Sequence, residues 1–246
     1  MDEAEFLKAY DPAAFARPSV AVDLVLMSVI DDAPAVLLIQ RDDHPFLGQW
    51  ALPGGFVGIE ESLDDAAARV LRDKARMADA YVEQLYTFGA VDRDPRTRVI
   101  SVSYFALLPS NSFNAAPRPD ARLTVAEIVV PWSSQSGGPV EVCTLNGQTL
   151  PLAFDHADII GLAMLRLRGK LDYSDIAFAL LPERFTLRQL QSIHEAILGT
   201  RINKPAFRRR MLDSGRLEAT GERETGASFR PAELYRHRPN TLTGKE

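Results

Sequence analysis

Cysteine is nearly absent from this 246-residue chain. Cys143 stands alone, which excludes an intramolecular disulfide and any zinc site built on several cysteines. Histidine is scarce as well, and His44, His156, His194 and His237 do not fall at metal-ligand spacings. No run approaches the roughly 18 apolar residues that a membrane span needs. The opening MDEAEFLKAY is acidic and lacks the basic-then-apolar layout of a signal peptide, so a reducing cytoplasm is the expected location. The chain also has no GxGxxG, no Walker loop and no GxSxG, which removes the usual glycine-rich phosphate cradle and the hydrolase nucleophile elbow. Internal repeats and low-complexity tracts are missing too.

The bulk composition, 46% hydrophobic and 25% charged, is that of an ordinary soluble globular protein. Charge is unevenly spread within it. From Glu183 to the end there are 13 Lys and Arg against 8 Asp and Glu, a net +5; with a total of -5, the first 182 residues carry -10. A basic C-terminal module on a larger acidic one suggests a polyanionic partner at that end.

Hydrophobic patterning divides the chain in the same place. Ser19–Ile30 and Pro34–Arg41 read as strands separated by an acidic turn, and Tyr81–Phe88 and Arg98–Leu108 as two more. Ser133–Pro139 reads as a loop and Asn146–Gly147 as a hairpin turn. Strands with one or two helices predict an α/β (α+β) domain with a mixed sheet over 16–153, preceded by an arm at 1–15. Helical spacing then resumes in FDHADIIGLAMLRLRGKL, with Asp155 as the expected cap, giving a linking helix and connector over 154–182.

The last segment, 183–240 with a tail at 241–246, has a different character. Thr186 and Gln189 stand in capping-box positions, and Leu187, Leu190, Ile193, Ile197 and Leu198 form one stripe. After a short link, Asn203 can cap a second helix with Pro205 in its first turn. Phe207, Met211 and Leu212 are expected to face inward, and Gly215 to end the helix. RLEATGERETGASFRPAELYR follows as a basic hairpin. Two helices, a tight turn and a hairpin spell a winged helix-turn-helix. Arg208, Arg209 and Arg210 fan across about 200° of the helix, so they cannot all enter one groove; Lys204 and Arg208 share a face.

Between the second strand and the first helix lies GGFVGIEESLDDAAARVLRDKARM, Gly54–Met77. It contains a glycine turn, then Glu61, then a helix capped by Ser62 with Leu63, Ala66, Ala67, Val70 and Leu71 on its apolar face, and Arg69. This resembles the Nudix box, the metal-binding loop–helix of enzymes that cleave nucleoside diphosphates linked to another moiety. Gly55, Glu61, Arg69 and Leu71 are in register with it. Val70, Asp73, Lys74 and Arg76 depart from the box, whose acidic ligands would occupy 70, 73 and 74. Hard cations need oxygen ligands, and positions four apart share a helix face, so a hydrocarbon at 70 and an ammonium at 74 predict no metal cluster. Hydrolysis is expected to be absent or very slow, leaving no catalytic residue and a residual box of Gly55, Glu61, Arg69 and Asp73. Around the loop, Arg41, Phe46, Trp50 and the RDPR of Arg93–Arg96 are candidates to hold a dinucleotide. Guanidinium forks suit diphosphate oxygens and aromatic faces suit adenine, although each alone is equally a surface charge or a packed ring.

Taken together, LLIQRDDHPFLGQWALPGGFV, RDPR followed by RVISVSYFALL, DHADII, FTLRQLQSIHEAILG, FRRRML and RPAELYR resemble the Nudix-related transcriptional regulators, NrtR, over about Ala16–Arg238. The resemblance implies a homodimeric DNA-binding regulator of NAD-metabolism genes, usually a repressor, with repression and activation both left open by the sequence; it binds a palindromic double-stranded operator and senses ADP-ribose, with no required cofactor. It implies an effector site at Arg41, Trp50, Arg93, Asp94 and Arg96, and DNA contacts at Lys204, Arg208, Arg209 and Arg230. Two departures stand out: Ala206 where an asparagine is expected in the recognition helix, and GASFRP where a more basic GRGRP is common in the wing. Three other readings stay open: an active Nudix hydrolase with an accessory C-terminal domain, a basic module that binds RNA or protein, and a regulator of a sugar-catabolic operon.

Overall fold

The computed structural model describes residues 2–77, 80, 82–114, 122–133, 136–171, 173–225 and 231–239. Strands β1 (Ser19–Ile30), β2 (Ala33–Gln40), β3 (Trp50–Ala51), β4 (Gly54–Phe56), β5 (Glu83–Phe88), β6 (Val99–Leu107), β7 (Leu123–Val129) and β8 (Glu141–Thr144) form one mixed sheet. Its order is β5-β6-β1-β2-β7-β8, with β3 on β2 and β4 on β1; β1 and β6 run parallel, and the named strands otherwise pair antiparallel. The helices are α1 (Glu3–Ala9), which buries no residue, α2 (Leu63–Asp73), α3 (Ser110–Asn114), α4 (His156–Lys170), α5 (Leu187–Leu198) and α6 (Lys204–Asp213), and β9 (Leu217–Arg223) pairs β10 (Glu233–His237) as a separate hairpin.

Strand β1 explains why the sheet needs cover on both sides. Its period of two sends Val22, Leu24 and Leu26 to one core and Val25 and Met27 to another. The first core lies under α2, through Ala66, Ala67, Val70 and Leu71. The second lies under α4, through Ile159, Ile160, Ala163, Met164 and Leu167, and continues without a break into Leu190, Ile197, Phe207 and Tyr235. The winged helix therefore shares a core with the sheet, and α4 is a packed layer of that core in addition to a link between modules. Gly161 permits the fit: a Cβ there would lie 2.0 Å from the Gly138 carbonyl oxygen.

Local signals set the helix ends. Ser62 accepts from the Asp65 amide, Thr186 and Gln189 make the reciprocal capping box, and Asn203 accepts from the Ala206 amide. Gly199 closes α5 in the left-handed conformation. Glu195 fixes the turn that follows by accepting from the Ile202 amide at 2.8 Å and from Gln191 at 2.9 Å. Tyr235 of β10 pairs with Phe185 just before α5, tying the wing to the helices.

Several expectations need correction. The glycine "turn" at Gly54–Gly55 is strand β4, paired with β1. Leu63 and Leu212 are exposed, at 36% and 43%, because each sits at the edge of its helix's buried arc. Asp155 occupies the cap position of α4 but makes no side-chain capping bond; its carboxylate is bound to Arg93 instead. Strands β7 and β8 add to the expected strands, although the loop read at Ser133–Pro139 and the turn read at Asn146–Gly147 bound β8 on both sides. Among the described residues, no helix is long and apolar enough to cross a membrane.

Candidate functional site

A cleft of about 320 Å³ opens where β1, β2, β4, α2, the Arg93–Arg96 loop and the start of α4 converge. Its floor is a buried polar knot. Asp23, 7% exposed on β1, accepts from Ser101 at 2.5 Å and lies 3.6 Å from Arg93 and 3.8 Å from His156. Arg93, only 4% exposed at its side chain, spends two of its three nitrogens on Asp155, at 2.8 and 2.6 Å. The Leu52 amide donates to His156 Nδ1 at 2.9 Å, which puts the neutral ring's proton on Nε2, facing Asp23. Burial holds the His156 imidazole below its usual pKa, against the opposing pull of Asp23 and Asp155.

Gly54 is dictated by this knot. A Cβ there would stand 2.1 Å from Asp23 Oδ1 and 2.8 Å from the Val22 carbonyl oxygen.

Above the floor, cations and rings alternate. Arg96 is gripped by both oxygens of Asp94, at 3.0 and 2.8 Å. That bond and burial shift the pair in opposite senses, with the bond dominant: Asp94 titrates lower than usual and Arg96 higher. The Arg96 guanidinium lies 5.4 Å from the Phe56 ring centre and 5.9 Å from that of Phe154, while Arg41 covers Phe154 at 4.9 Å. Phe154 holds φ of 55°, a costly conformation for a non-glycine residue, and Phe46 packs edge-on against it at 4.8 Å. Arg41 donates from Nε to the Pro45 carbonyl oxygen at 2.6 Å and from Nη2 to that of Asp43 at 3.3 Å. Burial and Arg96 lower its pKa.

The helix side of the cleft carries the residual box. Arg69 donates to both oxygens of Glu61, at 2.6 and 2.7 Å, and the Gly58 amide adds a third bond at 3.0 Å. These hydrogen bonds pull the Glu61 pKa down to about 2. Val70 is wholly buried in the core, and Asp73 is exposed beside Arg72. Lys74 reaches back so that Nζ donates to the Gly54 carbonyl oxygen. A Nudix metal cluster does not fit these residues: position 70 offers no oxygen, position 74 an ammonium, and Glu61 has both oxygens engaged. Among the described residues, no group of three or more His, Cys, Asp or Glu could hold a metal ion. The arrangement of guanidinium groups and rings suits a small anion that carries a flat ring.

Of the residues expected to meet an effector, Arg41, Arg93, Asp94 and Arg96 line this cleft. Trp50 does not; it bridges to Leu152 and packs against the core under α4. Sequence reading missed Asp23, Phe56, Lys74, Phe154 and His156 as cleft residues. The phenylalanine–aspartate–histidine run at 154–156 was the available signal, hidden by its helix-cap appearance.

On α6, Lys204, Arg208 and Arg209 are all exposed. Lys204 and Arg208 stand together on a broad groove of about 1190 Å³ that also takes in α5, the wing and the Asp31–Asp32 turn. Arg230 falls outside the described residues.

Residues 18–134 match the NUDIX domain family, and residues 177–237 match the NrtR DNA-binding winged helix domain. A relative from Acinetobacter baylyi, described as "ADPR responsive transcriptional repressor NtrR", is 38% identical over 237 residues, spanning 95% of this chain and 88% of the relative. The crystal structure of Shewanella oneidensis NrtR complexed with a 27mer DNA superposes with a TM-score of 0.71 at 35% identity, covering 89% of this chain and 93% of that one. The Nudix domain of the same protein, complexed with ADP ribose, gives 0.52 at 38% identity over 68% of this chain and 99% of that one.

Proposed function

The chain belongs to the NrtR family of Nudix-related transcriptional regulators, and from that premise we propose that it is a DNA-binding repressor whose Nudix cleft senses ADP-ribose. The observation that carries this reading is a pairing within one continuous core. A cationic, ring-lined cleft in which the described residues offer no metal-binding acid set lies at one end of α4, and an exposed basic helix lies beyond the other. The Acinetobacter repressor and the two Shewanella complexes support both halves.

In this reading Arg41, Arg96 and Asp94 hold the effector, and Arg93 positions the floor beneath it. Lys204, Arg208 and Arg209 meet DNA, with Arg230 in the wing. Two chains form a symmetric dimer that reads a palindrome near genes of NAD metabolism, in the cytoplasm. Hydrolysis is absent or very slow, because no group among the described residues replaces the water activation that metal ions supply to this chemistry. Incubation with ADP-ribose and Mg²⁺ should release no AMP at ordinary enzymatic turnover.

Helix α4 is built to carry the signal. Its first turn holds the cleft through Asp155 and His156, and Arg168 near its last turn donates to the Ile197 carbonyl oxygen of α5 at 2.8 Å. If effector and operator favour different placements of that helix, a coupling of about 1–3 kcal/mol changes affinity roughly 5- to 150-fold. The test is fluorescence anisotropy of the full chain on its upstream region while ADP-ribose is titrated from micromolar to millimolar. Operator release supports the reading; unchanged binding throughout removes ADP-ribose as effector.

A further inference from the structure

The cleft presents five cations, and they are not alike. Arg69, Arg93 and Arg96 are each neutralised by a bidentate carboxylate: Glu61, Asp155 and Asp94. Arg41 and Lys74 are different. Their hydrogen bonds end on backbone carbonyl oxygens, and among the described residues neither has a direct ion pair. These two charges are the ones left to meet an incoming anion.

Lys74 is also placed where a hard cation would have to sit. Lys74 is the C-cap of α2, one turn beyond Val70, and both face the β4 backbone. A Cβ built on Gly55 would stand 3.6 Å from Val70 Cγ2, 3.8 Å from Lys74 Nζ and 3.8 Å from Arg69 Nη1. The ammonium is thus held between helix and glycine strand with a carbonyl oxygen as its partner, and carbonyl and carboxylate oxygens are the ligands hard cations choose. Although Lys74 as a residue is exposed, its charged end is drawn into the cleft. Burial lowers its pKa and Asp23 partly restores it.

We propose that Lys74 is a tethered substitute for a divalent metal ion: its ammonium neutralises the diphosphate of the bound nucleotide, so that effector binding requires no metal. The inference rests on the reading of this cleft as an ADP-ribose site and goes beyond it, since binding could equally have depended on a recruited Mg²⁺. A fixed cation also accounts for the departure at position 74 as a gain: charge that a metal would supply transiently is built into the fold.

The experiment is calorimetric titration of the full chain with ADP-ribose, once in EDTA and once in millimolar Mg²⁺. Wild type should bind equally in both. Lys74→Gln should weaken binding about 10- to 100-fold, the range for one charge-assisted hydrogen bond. Lys74→Arg should recover most of the loss, and Lys74→Glu should fail to bind in EDTA. Unaltered operator binding by each variant without effector checks that the fold is intact. Binding by wild type that vanishes in EDTA, or Lys74→Gln equal to wild type, overturns this inference alone and leaves the effector site standing. If wild type binds ADP-ribose in neither buffer, the effector reading falls and takes this inference with it.

Discussion

The molecule carries two concentrations of positive charge, the cleft and helix α6, and they are built on opposite plans. In the cleft, Arg93, Arg96 and Arg69 are each clamped by a carboxylate, and Arg93 is almost wholly buried. On α6, Lys204, Arg208 and Arg209 are exposed, and the helix is anchored from behind by Phe207 and Met211. On the proposed function, the difference follows from the partners. A small anion offers few contacts, so a site that binds it gains by fixing its forks beforehand, at the cost of buried ion pairs. A DNA duplex offers a long field of phosphates, and side chains can find it while mobile, driven by counterion release. Preorganisation suits the effector; reach suits the operator.

This contrast can be broken most forcefully at Arg93. Arg93→Met leaves Asp23 and Asp155 facing each other in a buried site without their shared cation. Removing one partner of such a group typically costs about 3–5 kcal/mol, and urea unfolding should read a loss of that order together with loss of ADP-ribose binding. A stability change under about 0.5 kcal/mol would show that the knot is dispensable, and the two cation clusters would then differ only in exposure.

Gly54→Ala probes the same floor without touching charge. The added methyl meets Asp23 Oδ1 and the Val22 carbonyl oxygen, so the strand must shift. Overpacking of this kind costs about 1–3 kcal/mol, and effector affinity should fall with it. Gly147→Ala is the control: no atom lies within 4 Å of a Cβ there, though its φ of 82° adds strain. The control should therefore lose some stability while leaving the effector affinity unchanged.

For the other cluster the expected pattern reverses. Lys204→Ala and Arg208→Ala should change stability by no more than about 0.5 kcal/mol, as exposed positions do. Operator binding should weaken by about 1–3 kcal/mol if a base edge is lost; a lost phosphate contact would instead reduce the salt slope by about one. Anisotropy titrations at several salt concentrations separate those cases. No effect on affinity or slope from either substitution would remove this helix face from the DNA interface.

The two clusters also differ in how far the sequence reveals them. Helix α6 is specified locally: Asn203 caps it, Pro205 opens it, and Phe207 and Met211 mark the inner face four residues apart. Helix α5 is equally plain, through Thr186, Gln189 and Gly199. The cleft is assembled from distant residues. Asp23 reads as one polar residue in an apolar strand, and only the parallel pairing of β1 with β6 brings Ser101 to it. Asp155 looks like a cap because helix starts favour aspartate, but an arginine 62 residues earlier competes successfully for its carboxylate. Trp50 looks like an adenine platform because aromatic chemistry is visible in sequence, whereas the side of the strand it occupies is not. Lys74 was legible only as a missing acid; its role depends on where Nζ turns, which the backbone of β4 decides.

The smallest effect, and the sharpest test of how dry the floor is, concerns His156. Burial depresses its pKa, so the unfolded chain takes up a proton before the folded one does. The stability this group contributes is therefore fully present above its unfolded pKa near 6.5 and is lost progressively as pH falls below that value. One proton bounds the slope at about 1.4 kcal/mol per pH unit. Glu61, with its pKa down to about 2, works in a separate window. Its contribution is present above the ordinary carboxylate range near 4.3 and disappears only as pH falls toward the folded value. Unfolding free energies measured between pH 7.5 and 5.5 should thus decline through His156 with Glu61 silent, and His156→Asn should flatten that decline even where it lowers stability throughout. If the slope survives in His156→Asn, the imidazole does not titrate as a buried group. The floor would then be wet, and its cations would be no more preorganised than those on α6.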